Sequence, residues 1–395
     1  MSFSKQPSWY ASPIQINSTA ISGDGSRCLL GTSNEYSSGL FSVVAYDDAG
    51  TVLWTDPITN QAAYQGVFWV ALSDNGQYAA AGGEVAKSGD NPGFLRIYNA
   101  ESGEVLLSVS LPRRVNQVSF SSTGSLLVAS YGQYISLYKN TDGSFSEAGV
   151  YDLGDNYDCG SVVMCQYGSY ASAAVTNYST TPASGEILCF STTESQLNCV
   201  SRFATSVGAV RTAISVDGTW WGASMHDGSC VAFSNQNYDQ PQWIYTPPAD
   251  LLGGKSLSVA YGFDMVINGA SEIIFSVGAN IEGGDEGKLG CLYSVTSQYE
   301  NGVFVPALKW LNFLQYSPNP GVSMDLDGKY VTATDGKPGG STAETPGNFY
   351  LYDWSTGAQV FQYPTEIMNW PMNISSKGNA IFAASDTGLG YYWKG

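Results

Sequence analysis

The chain is short of positive charge. Its 16 lysines and arginines face 34 aspartates and glutamates, leaving a net charge of −18 over 395 residues. The only adjacent basic pair is Arg113-Arg114, so the basic face that nucleic acid requires is missing. Anionic membrane surfaces are poor partners for the same reason. No apolar run approaches the roughly 20 residues of a membrane-spanning helix. No long stretch keeps the period of an amphipathic helix either, so helix is expected to be scarce.

Chemistry-bearing residues are also few. There is one histidine, His226, and neither an HExxH motif nor a Cys/His cluster with zinc spacing, so no metal site is expected. No GxSxG supplies a serine nucleophile. The seven cysteines include no CxxC, CxxCH or adjacent pair. Cys189 and Cys199 flank one predicted hairpin and are the pair placed to face each other. Isolated, buried thiols are the expected state of the set.

What is plentiful is Gly (45), Tyr (26) and Trp (10), the composition of short strands, tight turns and aromatics packed between sheets. One grammar recurs: a short apolar strand, a turn ending in Gly, then a strand of small and β-branched residues. Val70-Ala71-Leu72-Ser73-Asp74-Asn75-Gly76 and Thr212-Ala213-Ile214-Ser215-Val216-Asp217-Gly218 are examples. The anchor glycines Gly25, Gly76, Gly124, Gly168, Gly218, Gly269, Gly328 and Gly378 are 44 to 59 residues apart, the length of one propeller blade. Each anchor is followed by a third strand carrying an aromatic (Tyr46, Tyr98, Tyr138, Phe190, Phe233, Tyr293, Tyr352). A polar turn comes next, then an outer strand that often carries Trp, as in Leu53-Trp54, Gln242-Trp243 and Lys309-Trp310.

From Gly378 through the C-terminus and on from Met1 to Gly25 is 42 positions, again one blade. The C-terminal segment ends at Tyr391-Tyr392-Trp393-Lys394-Gly395, one strand short. Gln6-Pro7-Ser8-Trp9-Tyr10 resembles the outer-strand segment Pro241-Gln242-Trp243-Ile244-Tyr245. The expected fold is therefore all-β: residues 1–395 form one propeller domain of eight four-stranded blades. The last blade takes its outer strand from residues 1–12 and the others from 366–395, which leaves no open strand edge at the seam.

The turn-plus-Trp outer strand, seen in Tyr46-Asp47-Asp48-Ala49-Gly50-Thr51-Val52-Leu53-Trp54 and in Tyr352 to Phe361, resembles the repeat of quinoprotein-dehydrogenase-like (PQQ-like) propellers and, more loosely, WD40 repeats. That family contains quinone-dependent dehydrogenases and outer-membrane assembly scaffolds. The adjacent cysteines and haem motif of the dehydrogenases are absent here, so the resemblance implies the non-enzymatic members and no cofactor.

In such a ring the inner strands start at the top face, where blade-to-blade connections also lie. Polar and aromatic residues there mark the channel mouth: Asn17, Trp69, Asn116, Gln117, Ser161, Arg211, Asp264, Asn319 and Trp370, with Arg114, Tyr157 and Asp158 nearby and His226 in a top-face turn. This mixture suits a small polar ligand held by a few convergent groups, and equally the wall of a water-filled channel. Arg211, with Asp264 as its expected partner on the adjacent blade, is the leading ligand contact.

The expected function is a non-catalytic binding or scaffold propeller, holding a small polar molecule or a protein at the top face. The alternative is a cofactor-free enzyme drawing on Arg211, Asp264, His226 and Asp158.

Other signals are absorbed by the repeat. Gly253-Gly254-Lys255-Ser256 resembles the tail of a phosphate loop, but Ala249 holds the first glycine's place; it reads as a connection. Asp325-Leu326-Asp327-Gly328 is an ordinary turn. The acidic runs at 282–286 and 335–344 read as solvated loops. The sequons at Asn17, Asn177 and Asn373 read as chance. A monomer is expected. The start does not read as a secretory signal, which implies a cytoplasmic protein if Met1 is native and an extracytoplasmic one if a signal has been removed.

Overall fold

The computed structural model describes residues 2–11, 15–33, 40–59, 66–85, 91–193, 196–269, 271–336, 346–367, 369–385 and 388–395. The described strands form eight four-stranded antiparallel sheets. The inner strands, blade by blade, are Ile16–Ile21, Val67–Leu72, Val115–Phe120, Tyr157–Met164, Ala209–Ile214, Gly262–Ile267, Ser317–Asn319 and Asn369–Ile374. Consecutive blades touch around the ring, and the first inner strand also meets the last. Among the described residues there is no α-helix, only the 3-10 turn Ala249–Leu252 between blades 5 and 6.

The core is divided into eight clusters, one at each interface between blades. Side chains alternate across a strand. In blade 2, Ala79 and Ala81 therefore point to blade 1, while Ala80 points to blade 3. A second strand has apolar neighbours on both faces, which is why these strands are nearly unbroken runs of small apolar residues.

The turn between first and second strands repeats as a hydrogen-bonded device. In blade 1, Ser22 Oγ accepts the Arg27 N–H (3.0 Å). Ser73, Ser121, Cys165, Ser215, Asn268, Asp325 and Ser375 do the same for their own blades. Seven of these turns place a glycine at φ of 63–75°, a left-handed backbone that glycine adopts without Cβ strain. Blade 6 differs from the sequence expectation: Ser271 (φ 62°), not Gly269, takes this place. Its third and outer strands, Gly290–Glu300 and Val303–Leu314, are also long. The recurring bulge between third and outer strands falls at Tyr46, Tyr98, Tyr138, Phe190 and Tyr352. In blade 6 it falls at Val295, not Tyr293. Tyr293 lies on the third strand, as the sequence implies, and only the turn position, at Ser271 instead of Gly269, departs from it.

Trp in an outer strand docks on the next blade. Trp54 Nε1 donates to Ala100 O (2.9 Å), its ring stacks on Tyr98 (5.0 Å), and Gly103 lies beneath it, where a Cβ would come within 2.6 Å of the indole. Trp310 makes the same contact with Trp354 O and Gly357. Trp9 makes it with Asp48 O and Gly50. Trp9 can do so because Trp9–Ala11 pairs antiparallel with Leu389–Lys394 and completes the last blade, as the 42-position wrap-around implies. Lys394 Nζ seals the seam on Asp48 (2.7 Å).

All seven thiols are free. Cys189 and Cys199 do sit on paired strands, but the bulge sets Cys199 opposite Phe190 and Cys189 opposite Ser201.

Candidate functional site

Inner strands expose polar backbone toward the axis, and the sequence supplies side chains that tie neighbouring blades together there. Ser18, Ser119, Ser161 and Ser323 each accept a backbone N–H from the next blade, at Val70, Met164, Thr212 and Ile374. Gln117 Oε1 accepts from Val162 N (3.2 Å). Asn116 donates to Cys159 O (3.1 Å), and Asn319 to Asn369 O (2.6 Å). Several residues that the sequence marks as mouth-lining thus serve as blade-to-blade tethers.

Asp264 occupies one of these tether positions. Its Oδ2 accepts Met324 N (2.7 Å) and its Oδ1 accepts Met265 N (2.8 Å). A carboxylate suits the position because the inner strand of blade 7 stops at Asn319, and Pro320 to Ser323 runs irregularly before Met324. Burial pushes the Asp264 carboxyl up to about 7, against the two amide hydrogen bonds. Its remaining exposure faces the channel enclosed by the ring.

The channel has three connected parts. At the top, a pocket of about 200 Å³ gathers Asn116, Asp158, Arg211, His226 and Tyr261. Below it, a cavity of about 190 Å³ is lined by Trp69, Gln117, Arg211, Tyr261 and Asp264, among others. The lowest part, about 250 Å³, is ringed by one apolar residue per blade, from Ile21 and Leu72 round to Ile374, and is also lined by Asp74, Ser122, Gln166, Asp264 and Ser376. Arg211 and Tyr261 stand at the upper neck, and Asp264 at the lower one.

Arg211 is the unusual group. Its guanidinium lies over the Trp69 ring, 5.0 Å from the centroid, and Nη1 reaches Gly160 O at 3.4 Å. Its Nε is buried with no partner. Burial lowers its pKa to about 10, so it remains a cation at neutral pH. The expected Arg211–Asp264 ion pair is absent: Asp264 is held by the two amides and Arg211 by Trp69. No carboxylate within ion-pairing distance serves Arg211 among the described residues.

In the top pocket, Asn116 Nδ2 donates to Asp158 Oδ1 (3.0 Å), and Arg114 Nε donates to Asn116 Oδ1 (3.1 Å). Burial raises the Asp158 pKa, opposed by Arg114, Asn116 and Arg113. Burial lowers that of His226, opposed by Asp227. The His226 ring lies against Gly208, where a Cβ would come within 2.6 Å of it.

Other candidates go elsewhere. Tyr157 directs its hydroxyl to Glu186 (3.3 Å) and its ring to Arg202. Pro371, Met372 and Asn373 line the cavity while Trp370, on the same strand, does not. Asn17 is buried. Gly253-Gly254 has the left-handed φ of a connection, and no helix follows. The acidic run at 335–344 falls mostly outside the described residues; Asp335 itself is buried, accepting from Tyr316 N, Asn348 N and Tyr350 Oη. Sequence reasoning overlooked Tyr261, which borders both upper cavities. Its signal was an aromatic three residues before Asp264, at the start of an inner strand. No metal-ligand cluster occurs among the described residues, and none of their helices is long and apolar enough to cross a membrane.

Ring, seam and channel define a β-propeller of eight blades. Many solved structures match it, two of them as follows. The β-propeller domain of Cps50 (Swd1) from Myceliophteria thermophila superposes with a TM-score of 0.54 at 11% identity, over 82% of this chain and 95% of that one. Hydrazine synthase of Kuenenia stuttgartiensis superposes with a TM-score of 0.55 at 13% identity, over 98% and 97%. Likeness at this identity speaks for fold alone. No protein-family model and no curated protein sequence matches the chain.

Proposed function

We propose that this propeller is a binding protein whose upper channel holds a small polar ligand by an anionic group, with Arg211 as the anchor. The observation that carries this reading is a half-buried arginine that lines a cavity, whose Nε is buried with no partner and which has no carboxylate within ion-pairing distance among the described residues. A partly desolvated cation without a counter-charge is costly. A guanidinium is also the side chain best shaped to take a carboxylate. Trp69 fixes it from one side and leaves the cavity side open to the ligand.

The test is isothermal titration of small mono- and dicarboxylates into wild-type protein and Arg211→Met. Saturable binding to the wild type and its loss in a folded R211M support the proposal. Equal binding to both proteins overturns it.

A second reading, a cofactor-free enzyme at the same mouth, is favoured by Asp158 and His226 lining one pocket with oppositely shifted pKa values. It requires turnover that His226→Ala abolishes.

A further inference from the structure

We infer that the ligand is a small zwitterion of amino-acid size, with its carboxylate on Arg211 and its ammonium group on Asp264. The inference rests on the proposed binding role and names the ligand class of that same cavity. Arg211 and Asp264 line one cavity of about 190 Å³, room for roughly six waters at liquid density. One is a cation and the other a carboxyl group, and the two form no ion pair with each other.

Each is pinned by other groups. Asp264 is held by the amides of Met265 and Met324, and Arg211 by Trp69 and Gly160 O. Each Asp264 oxygen accepts one N–H, and an ionised carboxylate has about four acceptor sites, so capacity remains on the cavity side. A simple carboxylate satisfies Arg211 but offers the Asp264 carboxyl no cation. A simple amine does the reverse. A molecule carrying both charges engages both ends at once, its ammonium group favouring the ionised form of Asp264.

Asp264 also stands out within the ring. Ser18, Ser119, Ser161 and Ser323 make the equivalent tether with a neutral hydroxyl. A carboxylate there brings a charge that tethering does not require.

The experiment titrates L-alanine, β-alanine and 4-aminobutyrate against their deaminated and decarboxylated counterparts (propionate, butyrate, ethylamine and propylamine). The proteins are wild type, Asp264→Asn and, as a variant that copies the other tethers, Asp264→Ser. The expected result is that at least one zwitterion binds wild type tenfold or more tighter than either of its half-ligands, and that this advantage disappears in D264N and D264S. If a deaminated carboxylate matches its zwitterion in wild type and both are lost in R211M, the zwitterion inference is overturned while the Arg211 anchor stands. If amines match the zwitterions, or no probe binds wild type, both are overturned. Because the comparison of half-ligands is made in wild type, it decides the matter even if an Asp264 variant fails to fold.

Discussion

Arg211 of blade 5 lies over the ring of Trp69 in blade 2, 5.0 Å from its centroid, a contact between blades that are not neighbours. The other inner-strand tethers join adjacent blades, so this pair spans the channel. Replacing Arg211 by Met keeps the bulk over Trp69 and removes a half-buried charge that has no ion-pair partner among the described residues. R211M is expected to melt at the same temperature as wild type or higher. A large fall in its melting temperature by calorimetry would show that the guanidinium holds the ring together.

Trp9 closes the ring. Deleting residues 1–11 removes the Trp9–Ala11 strand, the indole contact with Asp48 and the stacking on Tyr392. Burial of one large side chain contributes about 1.5–3 kcal/mol, and the strand's ladder bonds add to that. The truncated protein should melt several degrees lower and aggregate through the bared edge of Leu389–Lys394. An unchanged melting curve and light-scattering profile would refute the closure role.

Gly103 is demanded twice, by its φ of 73° and by the indole of Trp54, which a Cβ would approach to 2.6 Å. Gly103→Ala should cost about 1–3 kcal/mol in urea unfolding. Combining it with Trp54→Ala should cost less than the sum of the two, since the approaches to the indole are then gone and only the one to the Cβ of residue 54, at 2.9 Å, remains. Additive effects would contradict the docking geometry.

Asp264 makes stability depend on pH with a definite sign. Its carboxyl is raised to about 7 by burial, whereas an unfolded Asp titrates near ~4. The folded protein therefore holds this proton more tightly. The associated stability is full below about pH 4 and is lost as pH rises through about 7. The wild-type melting temperature should fall between about pH 4 and 7 and level off above that, and D264N should show a shallower slope over the same range. Some slope remains because Asp158, Asp325 and Asp335 are shifted the same way by burial. Parallel slopes for the two proteins would count against it.

Thiol labelling checks the packing. Burial pushes Cys230 and Cys291 up to about 12 and raises Cys28, Cys159 and Cys189 as well. In native protein at pH 8, Cys199, half-buried on an outer strand, should be the first to react with Ellman's reagent. The others should wait for denaturant. Early labelling of Cys159 or Cys230 would contradict the interblade cores.

The fold was legible because its devices are local and repeated. A left-handed turn glycine, a bulge-side aromatic and a docking Trp each leave a mark at fixed spacing, and the ends of the chain share one blade's worth of those marks. In blade 6 the turn was misplaced at Gly269 because Ser271 does the glycine's work there. The site was half legible. Arg211, Trp69 and Asp264 could be placed at the inner strands by counting. What counting does not reveal is which acceptors are already used: Asn116, Gln117 and Asn319 spend hydrogen bonds on neighbouring blades, and the Met324 amide holds Asp264 away from Arg211. Those partners are some 40 to 60 residues apart, and only closure of the ring brings them together.

The most direct measurement of the binding role is a crystal structure of the protein grown with the tightest-binding carboxylate from the titrations. The account predicts ligand density in the upper channel, with an anionic group within hydrogen-bonding distance of Arg211 and the remainder extending toward Asp264. Density on the outer blades or in the lowest part of the channel, with the Arg211 cavity holding only water, would contradict it.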